Sequence, residues 1–265
     1  MFYLTASADI AFRLPELIAT LVSQRTPVIL YGYTSWIIEM AKQVRRGVTV
    51  PPVYALVATG EGISATDRKM IETVFDAPFY TTYATRELGW LGFECEERRM
   101  HINEEWAFVE ILDDHDAPVT PGHMGRIIVT TFDNSVMPFI RYAIGDRGSI
   151  DTESCPCGRT LRTITFSGRQ SDRIELEDGQ SFSLLDISPL FDSYWDAVHQ
   201  YQMIQTAPLA FTIRIVPGPE FESRLDALHQ RMVRAMHPRV HISWERVDTI
   251  APAKSGKAVY YLRTY

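Results

Sequence analysis

PVILYGYTSWIIEMAKQVRRGVTVPPVYALVATG, residues 27–60, sets a β-rich run, a run with helical spacing and a second β-rich run in immediate succession. PVILYGY (27–33) reads as a buried strand ending at Gly32, and Ser35 is placed to cap a helix over WIIEMAKQVRRG, which closes on Arg45, Arg46 and Gly47 as a helix C-terminus should. VYALVATG (53–60) is the second strand. Working outward, Ser64-x-x-Asp67 is a capping-box pattern opening a helix to about Val74, and PFYTTYA (78–84) supplies a third strand. Upstream, RLPELIATLVSQ (13–24) carries apolar residues at helical spacing. Strand alternating with helix implies a parallel sheet. Ligands of such sheets gather at the carboxyl ends of the strands, here Gly32-Tyr33, Gly60-Glu61 and Tyr83 to Glu87.

From about Met100 the texture changes. FVEIL, GRIIVTTF, FIRYAIGD, GSID and RTITFSG are short β-rich pieces separated by Gly, Asp, Asn and Pro, the pattern of a small antiparallel sheet or barrel. After SGRQSDRIEL the pattern is mixed again: a helix over 185–193, strands YQMIQT and AFTIRIV, a helix over 220–236, and a strand near HISWERV. The expected fold class is therefore α/β and α+β, with an α/β part over 1–95, a β-barrel-like part over 96–168 and a small α/β unit over 169–265. A hinge is expected near residues 169–173, where polar residues separate two β-rich runs.

The 265 residues are 46% hydrophobic and 22% charged, a globular balance that excludes disordered, collagen-like and coiled-coil chains. Lys plus Arg number 26 against 33 Asp plus Glu, for a net charge of -7, and no basic block offsets it, so neither nucleic acid nor an anionic membrane is expected as the main partner. The sequence has neither an apolar run of about 20 residues nor a basic-then-apolar start, and a cytoplasmic location is expected. Three cysteines, two of them in a Cys-x-Cys pair, point to reduced thiols rather than disulfides.

Four local patterns bear on chemistry, and each has a plain structural alternative. In TTYATRELG (81–89) the Tyr83 ring could stack on a purine and the Glu87 carboxylate could hold Mg2+, or both could be ordinary strand-end packing. In MPFIRYAIGDRG (137–148) an ionised Asp146 could accept two ribose hydroxyls, or be a solvated turn residue. In APAKSGKAVYY (251–261) Lys257 lies in a Ser-Gly-Lys turn before a closing strand, able to reach a carboxylate and a phosphate together. Ala251 stands where a phosphate-cradling loop would need glycine, so this is no P-loop. Finally, Cys155 and Cys157 of CPCG, with Cys95 and His101, make up a tetrahedral zinc set that uses every cysteine of the chain; buried free thiols are the alternative.

The order of these motifs carries more than any one of them. Gly60-Glu61, Tyr83-x-x-x-Glu87, Glu94-Cys95, Ile140-Arg141-Tyr142-x-x-Gly145-Asp146, Cys155-x-Cys157-Gly158-Arg159, Gly168-Arg169-x-x-Asp172 and Ser255-Gly256-Lys257 together resemble the acyl-adenylate-forming superfamily, and within it the phenylacetate-CoA ligase and CapK branch. The resemblance covers essentially the whole chain. It implies a parallel sheet with helices, a small antiparallel barrel and a mobile C-terminal lid. It also implies that Gly60, Glu61, Tyr83, Asp146 and Arg169 bind ATP or AMP, with Tyr83 on adenine and Asp146 on the ribose. Glu87 would sit at Mg2+, Asp172 would be the hinge, Lys257 would serve the adenylating step, and Cys95, His101, Cys155 and Cys157 would hold a structural zinc. The implied activity joins a carboxylic acid, aromatic on family grounds, to ATP as an acyl-adenylate and then to a thiol, usually that of coenzyme A. Swinging of the final unit would present two faces to one site.

Two features depart from the family pattern. Tyr83-Ala84 replaces Tyr-Gly, with Arg86 where many relatives have Thr. The family's Ser/Thr/Gly-rich phosphate loop has no counterpart before Tyr33. The sequence therefore supports two expectations: a carboxylate-activating ligase, alone or as part of a longer or split enzyme, and a non-catalytic relative that binds AMP, an acyl-adenylate or a protein. A partner chain or self-association is expected to cover the face that the family's front portion would occupy.

Overall fold

A computed structural model describes residues 28–169, 173–253 and 258–265. The helix expected over 13–24 lies outside the described residues, as do Asp172 and Lys257. The described residues form two compact units, the first made mainly of residues up to 169 and the second mainly of residues from 173 on.

In the first unit, β1 (Val28–Tyr33) runs directly into α1 (Thr34–Arg45). The helix buries Thr34, Ile37, Met40 and Ala41 along one face and ends in basic residues, with Gly47 at φ 98 just beyond. Its start corrects the sequence reading: the flanking residue is Tyr33 and Ser35 is already inside the helix. The cap comes from elsewhere, because the Glu61 carboxylate accepts the Ser35 N–H at 2.8 Å. A first-turn N–H has no helical partner and carries partial positive charge, so a carboxylate from a neighbouring loop serves as well as a local hydroxyl. β2 (Val53–Thr59) lies parallel to β1, and α2 (Ala65–Phe75) starts as expected, with Ser64 Oγ accepting the Asp67 N–H at 3.0 Å. β3 (Phe79–Thr85) lies parallel to β2.

The chain then reverses into β4 (Gly89–Glu94) and continues through β5 (Met100–Ile102), β6 (Ala107–Leu112), β7 (Gly125–Thr131), β8 (Tyr142–Ile150) and β9 (Thr163–Arg169). All nine strands join in one sheet, ordered β1-β2-β3-β4-β5-β9-β8-β7-β6. The antiparallel segment of the sequence reading is thus an arm of the same sheet that carries the parallel strands. Leu91, Ile102, Val109, Ile111, Ile127, Val129, Ile144 and Ile164 form the core of this arm, drawn from alternate positions of its strands.

The second unit holds the short pair β10 (Ile174–Glu175) and β11 (Ser181–Phe182), then α2's successor α3 (Leu184–Ile187). One long helix over 185–193 does not form: α3 gives way to tight 3-10 turns at Ser188–Leu190 and Asp192–Tyr194. Pro189 lacks the N–H that would continue the α-helical ladder. A four-stranded sheet follows, ordered β14-β13-β12-β15, from β12 (Val198–Ala207), β13 (Ala210–Pro217), β14 (His241–Arg246) and β15 (Tyr261–Arg263). Against it packs α4 (Phe221–Met236), burying Phe221, Leu228, Met232 and Met236. Among the described residues, no helix is long and apolar enough to cross a membrane.

Candidate functional site

The register of the parallel strands sets one edge. Tyr33 is paired with Thr59 and Thr59 with Thr82, so Gly60 and Glu61, just past β2, and Tyr83, one residue beyond the last β2–β3 pair, lie at the same end of the parallel strands. Gly60 turns the chain at φ 76, a conformation that favours glycine. One oxygen of Glu61 is committed to the start of α1, and the Glu61 carbonyl accepts the Thr34 hydroxyl at 3.0 Å.

Tyr83, Asp146 and Arg169 come together. The Tyr83 hydroxyl donates to Asp146 Oδ2 at 2.5 Å, and Arg169 Nε donates to Asp146 Oδ1 at 3.3 Å. Asp146 and Arg169 are also ladder partners across β8 and β9. The Asp146 side chain is 15% exposed and that of Arg169 is 62% exposed, so the carboxylate is recessed behind a solvated guanidinium. Gly145, at φ 82, sets up the backbone that aims Asp146. Burial above all, then the charge of Asp146 and the hydrogen bond to it, push the Tyr83 hydroxyl well above the ordinary tyrosine range, with Arg169 acting the other way. Tyr83 is therefore a committed donor at neutral pH.

Phe166 completes this cluster, its ring centroid 4.1 Å from that of Tyr83. Sequence reasoning missed it. The alternation in RTITFSGR places Phe166 on a face of β9, but nothing local says which ring it meets. Glu87 is exposed in the turn between β3 and β4. That turn is fixed at both sides of Leu88, whose N–H reaches Thr85 Oγ1 at 3.0 Å and whose carbonyl accepts the Trp106 indole N–H at 2.6 Å. Among the described residues no hydrogen bond or ion pair joins Glu87 to the Tyr83 cluster; its carboxylate is presented to solvent on a rigid support.

The second cluster is Cys95, His101, Cys155 and Cys157, whose ligand atoms lie within 4.8 Å of one another. Cys95 Sγ is 3.6 Å from Cys155 Sγ, and Cys157 Sγ is 3.3 Å from His101 Nε2. A tetrahedral zinc with bonds of about 2.3 Å to sulfur and about 2.0 Å to nitrogen has edges of about 3.5–3.8 Å, so these spacings fit that ion. His101 Nδ1 lies 2.9 Å from the Leu161 carbonyl, which can only accept. In the neutral ring the proton therefore sits on Nδ1, which leaves Nε2, facing the sulfurs, as the nitrogen that would bind a metal. Burial pushes Cys155 up to about 11. Burial opposes ionisation of Cys157 too, but hydrogen bonds from the Arg159 backbone and guanidinium outweigh it and bring this thiol down to about 6. Three soft sulfurs and an imidazole nitrogen make a donor set suited to zinc.

Residues 174–263 match the family model of the CapK C-terminal domain. Over 243 residues, 86% of this chain and 54% of its relative, the sequence is 26% identical to a phenylacetate-coenzyme A ligase of Thermus thermophilus. Over 185 residues, 68% of this chain and 39% of the relative, it is 24% identical to Protein CapK of Staphylococcus aureus. The chain thus spans about half the length, or less, of the curated relatives it matches. In fold it is similar to a 2-hydroxyisobutyryl-CoA ligase solved in the postadenylation state with R3-HIB-AMP, with a TM-score of 0.80 and 20% identity over 94% of this chain and 57% of that one. In sequence the chain is thus similar to phenylacetate-coenzyme A ligase and to CapK, and it shares its fold with a CoA ligase solved with a bound acyl-adenylate.

Proposed function

We propose that this chain carries the nucleotide half of an ATP-dependent carboxylate-activating ligase, with Tyr83, Asp146 and Arg169 holding the adenylate. The observation that supports this most is the recessed Asp146 carboxylate, held between the Tyr83 hydroxyl and Arg169 at the edge where the parallel strands end. Two oxygens on one carboxylate can accept both hydroxyls of a ribose once Arg169 turns outward toward phosphate. An adenine would lie on the aromatic surface of Tyr83 beside the loop of Gly60 and Glu61.

In the first half-reaction a carboxylate oxygen of the acid attacks the α-phosphorus of ATP, and pyrophosphate leaves. Lys257 would stabilise the charge that builds on the reacting oxygens. Glu87 would hold Mg2+, which supplies counter-charge to the phosphates. In the second, the thiol of coenzyme A attacks the acyl carbon, loses its proton and displaces AMP. Asp172 would be the hinge that moves Lys257 away between the two steps. Cys95, His101, Cys155 and Cys157 would hold one structural Zn2+. The acid is an aryl or arylacetic acid, the place of action is the cytoplasm, and a partner chain or second copy covers the exposed edge of the sheet.

The test is carboxylate-dependent exchange of labelled pyrophosphate into ATP by the chain, alone and with the product of any adjacent reading frame. Exchange that Lys257→Ala abolishes supports the ligase. The second reading is an AMP- or acyl-adenylate-binding relative that carries out no adenylation. It prevails if AMP raises the melting temperature while no exchange occurs under any of these conditions.

A further inference from the structure

The first unit's sheet has a narrow seam. β5 is three residues long, and it meets β9 through two ladder pairs, Met100 with Ile164 and His101 with Thr163. The hydrogen bond from the Ile102 N–H to the Arg162 carbonyl at 2.9 Å continues the junction, and Glu104, just past β5, accepts the Arg162 N–H at 3.1 Å and its Nε–H at 2.5 Å. On one side of the seam lie β1 to β5, which carry Tyr83. On the other lie β9 and β8, which carry Phe166, Asp146 and Arg169.

Tyr83 and its partners are three strand steps apart in hydrogen-bonding order, β3-β4-β5-β9. Strands about 4.8 Å apart would separate β3 from β9 by about 14 Å in a flat sheet. Ring centroids 4.1 Å apart, and a 2.5 Å hydrogen bond to β8 one strand further on, therefore require the sheet to fold over at its short middle strands. The β5–β9 seam lies on that path, so a change of angle there would change the distance between Tyr83 and Asp146.

The Cys/His set straddles that same seam. Cys95 follows β4 and His101 is in β5, while Cys155 and Cys157 lie in the connection from β8 to β9. His101 is itself one of the two ladder residues, and its ring is tied across the seam to Leu161. We infer that this four-residue set is the fastener of the seam: with a metal bound, it fixes the fold-over that brings Tyr83 to Asp146, so nucleotide affinity depends on an ion that never touches the nucleotide. The inference rests on the nucleotide and zinc readings above and adds a coupling between them.

Two readouts on the full chain test it, using Zn2+ and AMP as probes. The first is hydrogen exchange with and without metal. Chelation should speed exchange at Ile102 and at residues 163–166 by about tenfold or more, leave the β1–β2 amides unchanged, and be reversed by Zn2+. The second is AMP affinity, which should fall about tenfold without metal. Linkage then requires AMP to tighten Zn2+ retention against a chelator by the same factor. Cys157→Ser, at the most exposed ligand, should reproduce both effects, and chelation of folded wild type replaces it if that variant does not fold. Metal-free protein with unchanged seam exchange overturns the inference, as does AMP affinity within about twofold of the metal-bound form. Protein that never retains Zn2+ overturns the zinc reading and this inference with it. If Zn2+ binds and AMP does not, the nucleotide reading falls, and unchanged seam exchange alone then overturns the fastener.

Discussion

Replacing Tyr83 with Phe keeps the ring against Phe166 and removes only the hydroxyl that Asp146 accepts at 2.5 Å. A hydrogen bond to a charged acceptor contributes about 1.5–3 kcal/mol, and here its loss leaves a recessed carboxylate with Arg169 as its remaining side-chain partner. Tyr83→Phe should therefore lower unfolding free energy at pH 7 by about 2 kcal/mol, or about 4–8 °C in Tm. The difference should depend on pH, with a determined sign. The folded-state pKa of Tyr83 is raised, so below the unfolded value of 10.0 the contribution is fully present. Above it the unfolded chain ionises while the folded chain stays protonated, and the advantage is lost as pH rises. That loss is about 1.4 kcal/mol per pH unit, so wild type and Tyr83→Phe should become equally stable near pH 11.4, about 1.4 units above the unfolded pKa. Urea unfolding of both proteins at pH 7, 9, 10.5 and 11.5 measures the difference, and the other tyrosines and lysines cancel in it. A difference near zero at pH 7, or one that stays constant from pH 9 to 11.5, refutes the geometry of the cluster.

Asp146→Asn keeps the shape and removes the charge, and should weaken AMP binding by about tenfold or more in a calorimetric titration, since a charge-assisted pair of hydrogen bonds becomes a neutral one. Unchanged affinity would place the nucleotide elsewhere. A Cβ added at Gly92 would lie 2.7 Å from the His101 carbonyl oxygen, so Gly92→Ala should destabilise the first unit by about 1–3 kcal/mol in chemical denaturation. In the second unit, the buried Gln205 amide donates to the carbonyls of Glu175 and Pro208 at 2.9 and 3.1 Å and accepts the Tyr261 hydroxyl at 2.5 Å. Gln205→Leu strands these partners and should cost about 2–4 kcal/mol, seen as a lower Tm.

Much of this molecule follows from local pattern. Residues 28–85 alternate strand and helix with periods of 2 and 3.6, Ser64 announces its helix, and the parallel edge with Gly60 and Tyr83 follows from strand order. The Cys/His set was legible because few residue types can do its work and the chain has only three cysteines. Pro189 was also in plain view as the break in the helix expected over 185–193. Three things were settled only by the folded chain. Glu61 caps α1 from 26 residues away, a service that a local rule assigned to Ser35. Phe166 meets Tyr83, and Asp146 accepts the Tyr83 hydroxyl, across strands that hydrogen bonding alone would hold far apart. The reason is that periodicity fixes which face a side chain takes, while the partner on that face depends on how sharply the sheet turns between β3 and β8, and that turn is a property of all the strands packed together.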